Sequence, residues 1–204
     1  MTDVILDHKK EVLTTLQRQH IVTGLAAVAM SKGYAATTIA DIVSTAHVSK
    51  GTFYEHFDDK EAVYLELEST VTEAVETNLR ASIERTTHLN DWRLRVRDLV
   101  RERLATVTSN GPFLAQLAIG PQVVSEAAQR SRMDANDRLV AIHMLLADQI
   151  SKTTDEVLPI GAHVAYAGMS ASTAHIAARA GDGTAAVLML EEPLTDIWIR
   201  LLRA

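Results

Sequence analysis

The sequence predicts an all-α protein, on three observations. Prolines number only four and glycines nine in 204 residues. Apolar residues recur at helical spacing over long stretches, and strand-like alternation is nearly absent. Hydrophobic content is 47%, ordinary for a folded globular chain long enough to bury a sizeable core. The net charge of −6 excludes a surface coated uniformly for nucleic acid, though not a small local binding face. There are no cysteines, so disulfides, thiolate catalysis and Cys-based metal sites are excluded, and a reducing cytoplasm is allowed. The acidic, polar start "MTDVILDHKK" does not read as a secretory signal. Apolar runs such as "LVAIHMLL" (139–146) fall far short of the ~20 residues a membrane span needs.

Each element has its own justification. Between Arg18 and Lys32, residues Ile21, Leu25, Val28 and Ala29 form a helical stripe, with residues 1–17 as a frayed extension and Gly33 as the stop. Thr38 with Asp41 three residues on is a capping-box-like start, and Ile39, Ile42 and Val43 give that second helix an apolar face. His47 and Val48 form a tight turn, and Ser49 caps a helix reaching about His56. Asp58 or Asp59 caps a long helix in which Val63, Leu67, Val71, Val75, Leu79 and Ile83 repeat every four residues. Further helices are expected from about 91 to 107, briefly after Pro112, from Pro121 to about 150, and from Pro159 to the "GDG" at 181–183. The last occupies the C-terminus, where Pro193 is expected to break or restart it.

The stretch "AHVSKGTFYEHF" (46–57) carries the functional signal. Val48, Phe53 and Phe57 suit a core, leaving Lys50, Gly51, Thr52, Tyr54 and His56 around the helix start and outer side. Three short helices, the last two joined by a tight turn, fit a helix-turn-helix, whose final helix offers its N-terminal residues to base edges. Lys50 can donate to guanine or phosphate. Gly51 permits close backbone approach. Thr52 and Tyr54 carry hydroxyls suited to phosphate. Thr37 and Thr38 sit at a helix start that favours an anion, and Lys60 adds a second cation.

The segment "GYAATTIADIVSTAHVSKGTFYEHFDDKEAV" (33–63) resembles the DNA-binding signature of the TetR family of transcriptional regulators. Gly33, Tyr34, Thr37, Thr38, Asp41, Ile42, Val48 through Tyr54, His56, Phe57, Lys60 and Glu61 follow the family pattern in order and spacing. The resemblance covers about residues 18–63. It implies DNA contacts from Thr37, Thr38, Lys50, Gly51, Thr52, Tyr54, His56 and Lys60. His47 departs from the pattern, standing where the family usually has glycine, and Ala29 stands where the family often has a large aromatic. His56 reads partly as a packing residue, and Tyr34 as core rather than contact.

The expected organisation is a helix-turn-helix DNA-binding domain at 1–60, with its core at 18–60, and a helical ligand-binding and dimerisation domain at 61–204. The resemblance implies a cytoplasmic, ligand-responsive regulator, most often a repressor. It binds a palindromic double-stranded DNA operator as a homodimer through the last two helices (about 159–203), and a small-molecule effector releases it. Few aromatics suit an apolar, aliphatic effector. Candidate pocket residues are Phe113, Met133, His143, Met144, Tyr166 and Met169, each of which also reads as ordinary core. His163 and His175 have no carboxylate at ligand spacing, so no metal is expected, and no cofactor or membrane partner. No nucleophile–base pair or phosphate-binding glycine loop suggests an enzyme. The competing reading is a helical small-molecule-binding or processing protein that retains a non-functional head.

Overall fold

The computed structural model describes residues 2–109, 125–153 and 183–203. Among these the secondary structure is helical throughout: α1 (Thr2–Lys32), α2 (Ile39–Ala46), α3 (Lys50–His56), α4 (Lys60–Arg85), α5 (Trp92–Ser109), α6 (Glu126–Thr153) and α7 (Gly183–Arg203). The chain forms two compact units, Met1–Thr70 with Gln122–Ala128, and Val71–Pro121 with Gln129–Ala204. Helix α4 runs through the boundary between them.

The first unit is built on α1, which packs against both α2 and α3. The helix is continuous from Thr2, so residues 2–17 extend the stripe between Arg18 and Lys32 as expected. No proline or glycine interrupts residues 2–17, so nothing local stops a helix there. Ile21, Leu25, Ile42, Phe53 and Val63 are fully buried, and Ala29, Phe57 and Tyr64 nearly so. Gly24 is what lets α1 and α2 approach. A methyl group there would stand 3.0 Å from the Ile42 carbonyl oxygen and 3.2 Å from the Ala46 side chain.

The turn between α2 and α3 depends on one residue. His47 has φ 55° and ψ 41°, a left-handed cap whose N–H donates to the Ser44 carbonyl. A side chain in that region is strained by about 1–2 kcal/mol relative to glycine, part of which is offset by glycine's freedom in the unfolded chain. His47→Gly is therefore expected to raise stability by about 0.5–1 kcal/mol, read as a shift in urea midpoint at unchanged slope.

The second unit has its own core: Val75, Leu79, Ile83, Trp92, Val96, Leu99, Leu104, Leu139, Ile142, Leu146, Ile150, Leu194 and Trp198. Helix α7 lies along α5. Arg101 grips Glu191 through both Nε (2.8 Å) and Nη2 (2.7 Å), a two-pronged guanidinium–carboxylate pair. Arg85 pairs with Asp98 (2.6 Å) and Glu102 (2.9 Å), tying the end of α4 to α5. The break expected at Pro193 does not occur, since α7 continues through it. Proline removes the hydrogen bond to the carbonyl four residues back, which belongs to Met189. Met189 stands on the exposed side of the helix, 76% exposed, while Leu194 and Trp198 are buried and hold the helix by packing. The expected helices after Pro112 and from Pro159 lie outside the described residues.

Candidate nucleic-acid interface

The outer face of α3 is set by two caps and a core pair. Ser49 is the N-cap. Its hydroxyl accepts from the Thr52 N–H at 3.0 Å and lies 2.9 Å from the Thr52 hydroxyl. Phe53 and Phe57 turn inward, their ring centroids 6.1 Å apart. Helical spacing then turns Lys50, Gly51, Tyr54 and Glu55 outward together, and all four are exposed. Tyr54 is 56% exposed, which is unusual for an aromatic of its size, with its ring edge against Phe53 at 5.4 Å between centroids. Gly51 has no internal reason to be glycine. A Cβ there would meet only the Ser49 hydroxyl, at an ordinary 3.5 Å.

The remaining candidates divide differently. Thr38 is exposed and caps α2, its hydroxyl accepting from the Asp41 N–H (3.2 Å) while the Asp41 carboxylate accepts from the Thr38 N–H (2.8 Å). Lys32 donates to the same carboxylate at 2.6 Å. That bond, with those from Thr38, holds the Asp41 carboxyl well below the usual carboxylate range. Thr37 is 2% exposed. Its hydroxyl donates to the Gly33 carbonyl (2.8 Å) and its N–H to the Tyr34 carbonyl (3.1 Å), so both donors are engaged inside the unit.

Lys60 Nζ donates to the carbonyls of Tyr34 and Thr37, each at 2.9 Å, and sits 4.2 Å from the Tyr34 ring centroid. It clasps the α1–α2 loop onto α4, and partial burial lowers its pKa. Burial, followed by the nearby Glu61 and Asp59 charges, pushes the Tyr34 phenol up to about 12. Tyr34 is thus a packing residue, tilted against Tyr64 at 5.1 Å. His56 is half-buried, and its Nε2 is buried without a hydrogen-bond partner among the described residues.

Two positioning residues escaped the sequence reading. Arg18 donates to the His56 carbonyl (2.9 Å), pairs with Glu66 through two nitrogens and stacks 4.3 Å above the Phe57 ring. It fixes the end of α3 to α1 and α4. The signal was weak, a lone arginine in a polar stretch. Gly24, inside an apolar helical run, was the more legible of the two.

Of the candidate pocket residues, His143 is buried in the second unit, and Met144 is half-buried against its core. Met133 is 65% exposed, because it lies on the side of α6 opposite the inward positions Ala135, Leu139 and Ile142. Phe113, Tyr166 and Met169 lie outside the described residues. The His143 ring stands edge-on to Trp198 at 4.8 Å, with Nδ1 2.6 Å from the Leu139 carbonyl. Burial, only partly opposed by that bond and reinforced by Arg103, pushes the His143 imidazole down to about 3. A histidine held neutral in the folded state contributes stability that is fully present above its unfolded pKa, near 6.5, and is lost as pH falls from there toward 3. The urea midpoint of the wild type is therefore expected to fall more steeply between pH 6.5 and 4.5 than that of His143→Leu.

Among the described residues no three His, Asp or Glu side chains gather as a metal site requires. No described helix is long and apolar enough to cross a membrane.

Residues 21–67 match the family described as bacterial regulatory proteins, tetR family. A 45-residue segment is 44% identical to the HTH-type transcriptional repressor DhaR of Mycobacterium sp. (strain GP1), spanning 22% of this chain and 23% of that protein. The fatty acid degradation regulator FadR from Bacillus halodurans superposes with TM-score 0.71 at 16% identity, covering 89% of this chain and 94% of that one. FadR from Bacillus subtilis, solved in complex with stearoyl-CoA, superposes with TM-score 0.68 at 14% identity over 88% and 96%. At those identities the two structures show a shared fold.

Proposed function

We propose, from a head that belongs to the TetR family of bacterial regulatory proteins, that this chain is a ligand-responsive transcriptional repressor acting in the cytoplasm. The head, functionally residues 1–60, binds a palindromic operator, and residues 61–204 bind the effector and dimerise through the last two helices (about 159–203). The observation that carries this reading is the outward set Lys50, Gly51 and Tyr54. It is exposed on a helix whose inner side is fully committed, with a glycine that the interior does not require.

The roles divide by geometry. Lys50 and Tyr54 make the direct contacts, and Gly51 lets the backbone close on the groove. Thr52 and Thr38 present hydroxyls from the starts of α3 and α2, each shared with a cap. Thr37, Lys60 and His56 act mainly by shaping the head, with one Lys60 proton left for phosphate. A single head binds weakly, and a two-fold dimer addresses two half-sites roughly 34–36 Å apart. The effector binds the conformation whose heads are misplaced for the groove, so operator affinity falls by its differential affinity for the two states. Helix α4 is common to both units and is the covalent route for that coupling. A non-enzymatic role follows from the same assignment. DhaR's designation as a repressor supports repression, and the stearoyl-CoA complex of the Bacillus subtilis protein supports a small-molecule effector for this fold.

The test is selection of bound duplexes from a random DNA pool at fixed salt, with Tyr54→Ala as control. A palindrome recovered by the wild type and lost by the variant is the expected result. No enriched sequence, or one that both proteins bind equally, would return attention to the reading in which the head is non-functional.

A further inference from the structure

Arg95 is an anomaly of the second unit. Arg85, Arg97, Arg101 and Arg138 each face a carboxylate there. Arg95 does not. It is 3% exposed, beside Val96 and Leu99 in the apolar core, and its Nη2 donates to a neutral acceptor, Gln149 Oε1, at 2.5 Å. Its Nε is buried with no partner among the described residues. A permanent cation placed out of water beside one amide oxygen is costly, and a folded chain normally supplies it with an anion. Desolvation lowers the Arg95 pKa, and no neighbouring charge acts against it. Trp198 in the same unit is 1% exposed and also has a buried N–H with no acceptor among the described residues. The Arg95 Nε–H and the Trp198 indole N–H each call for an acceptor.

We infer that Arg95, oriented by Gln149, is an oxyanion-recognising position in the effector site, taking the carboxylate of an otherwise apolar small molecule. The inference rests on the ligand-responsive reading above and adds the ligand's chemistry to it. The guanidinium edge offers a fork: Nε–H, with no partner, and the second proton of Nη2 beside it. A carboxylate fits that fork with two parallel bonds, while Gln149 keeps the plane fixed. Val96 and Leu99 follow Arg95 on α5, Leu146 and Ile150 flank Gln149 on α6, and all four belong to the unit's apolar core, which suits a hydrocarbon tail, not a second charge.

The probe is decanoate added to the isotope-labelled full chain without DNA, with decanol and inorganic phosphate as parallel arms. The readout is the Arg95 Nε–Hε resonance, assigned by its loss in Arg95→Lys. Decanoate is expected to move that resonance and raise Tm, while decanol leaves the resonance in place. A response to phosphate equal to that of decanoate keeps the oxyanion site and makes its ligand a free anion. Arg95→Met, which removes the unmet charge, is expected to melt no lower than wild type and to bind decanoate about 10- to 100-fold more weakly. An unmoved resonance with both anions, or an equal response to decanol, overturns the proposal. So does decanoate affinity unchanged in Arg95→Met. Operator selection is independent of these arms, so a failed titration leaves the DNA reading standing, and a failed selection leaves the anion site standing.

Discussion

Lys50→Ala is expected to bind the selected operator about 100-fold more weakly than the wild type, with the slope of log K against log salt reduced by close to 2. Both numbers follow from symmetry. Every substitution in a two-fold dimer is made twice, once per half-site, so a contact worth about 1–1.5 kcal/mol is lost twice over. If each Lys50 neutralises one phosphate, two condensed counterions fewer are released, and each contributes about 0.9 to the slope. Tyr54→Ala provides the internal contrast. Its hydroxyl and ring carry no charge, so affinity falls while the slope holds. If instead Lys50 reads a guanine edge, the loss concentrates on the cognate sequence and discrimination against a mutated half-site shrinks. The caps make the comparison clean. Ser49, not Lys50, holds the start of α3, so removing the exposed lysine side chain leaves the helix N-terminus intact. A Lys50→Ala protein with unchanged affinity and slope would remove Lys50 from the interface.

Much of the head was legible in the sequence because its constraints are local. The Thr38–Asp41 box, the Ser49 cap and the inward pair Phe53 and Phe57 depend on neighbours a turn away, and the structure places them as the spacing required. The tight turn at His47 was legible for the same reason, since turn geometry is set within a few residues, and the structure gives that residue a left-handed φ of 55°. What was not legible depended on partners far along the chain. Arg18 meets residues 38 and 48 positions away. Lys60 spends its protons on carbonyls 23 and 26 residues earlier, and so became a clasp instead of a free cation. Thr37 looked available at a helix start but is buried, its carbonyl held by Lys60 from 23 residues on. Periodicity also could not separate Met133 from His143, since both sit in an amphipathic helix and only the phase of the finished core decides which faces inward. Arg95 was invisible as a candidate because an arginine in a charged helix ordinarily faces water.

Phe53→Ala is expected to unfold the head and leave the second unit folded. Phe53 is fully buried, the largest side chain of the first unit to be so, and it is the residue through which the short α3 joins the core of Ile21, Leu25, Ile42 and Val63. Truncating a buried phenylalanine costs about 3–5 kcal/mol. A unit of this size holds only a few kcal/mol in total, and seven residues of helix cannot persist without tertiary packing. The second unit has no share in that loss, because its core draws on other residues, from Val75 to Trp198. The chain supplies its own reporters for the two events. Both tryptophans, Trp92 and Trp198, are buried in the second unit, so tryptophan emission follows that unit alone. Amide resonances of residues 39–56 follow the head. Native emission with collapsed head resonances and no operator binding is the expected pattern. Loss of both signals together would mean that α4, which passes through both units, couples their folding into one transition. The effector-driven coupling proposed for this chain would then act on a single cooperative body, and effector binding would raise the stability of the head by as much as that of the second unit.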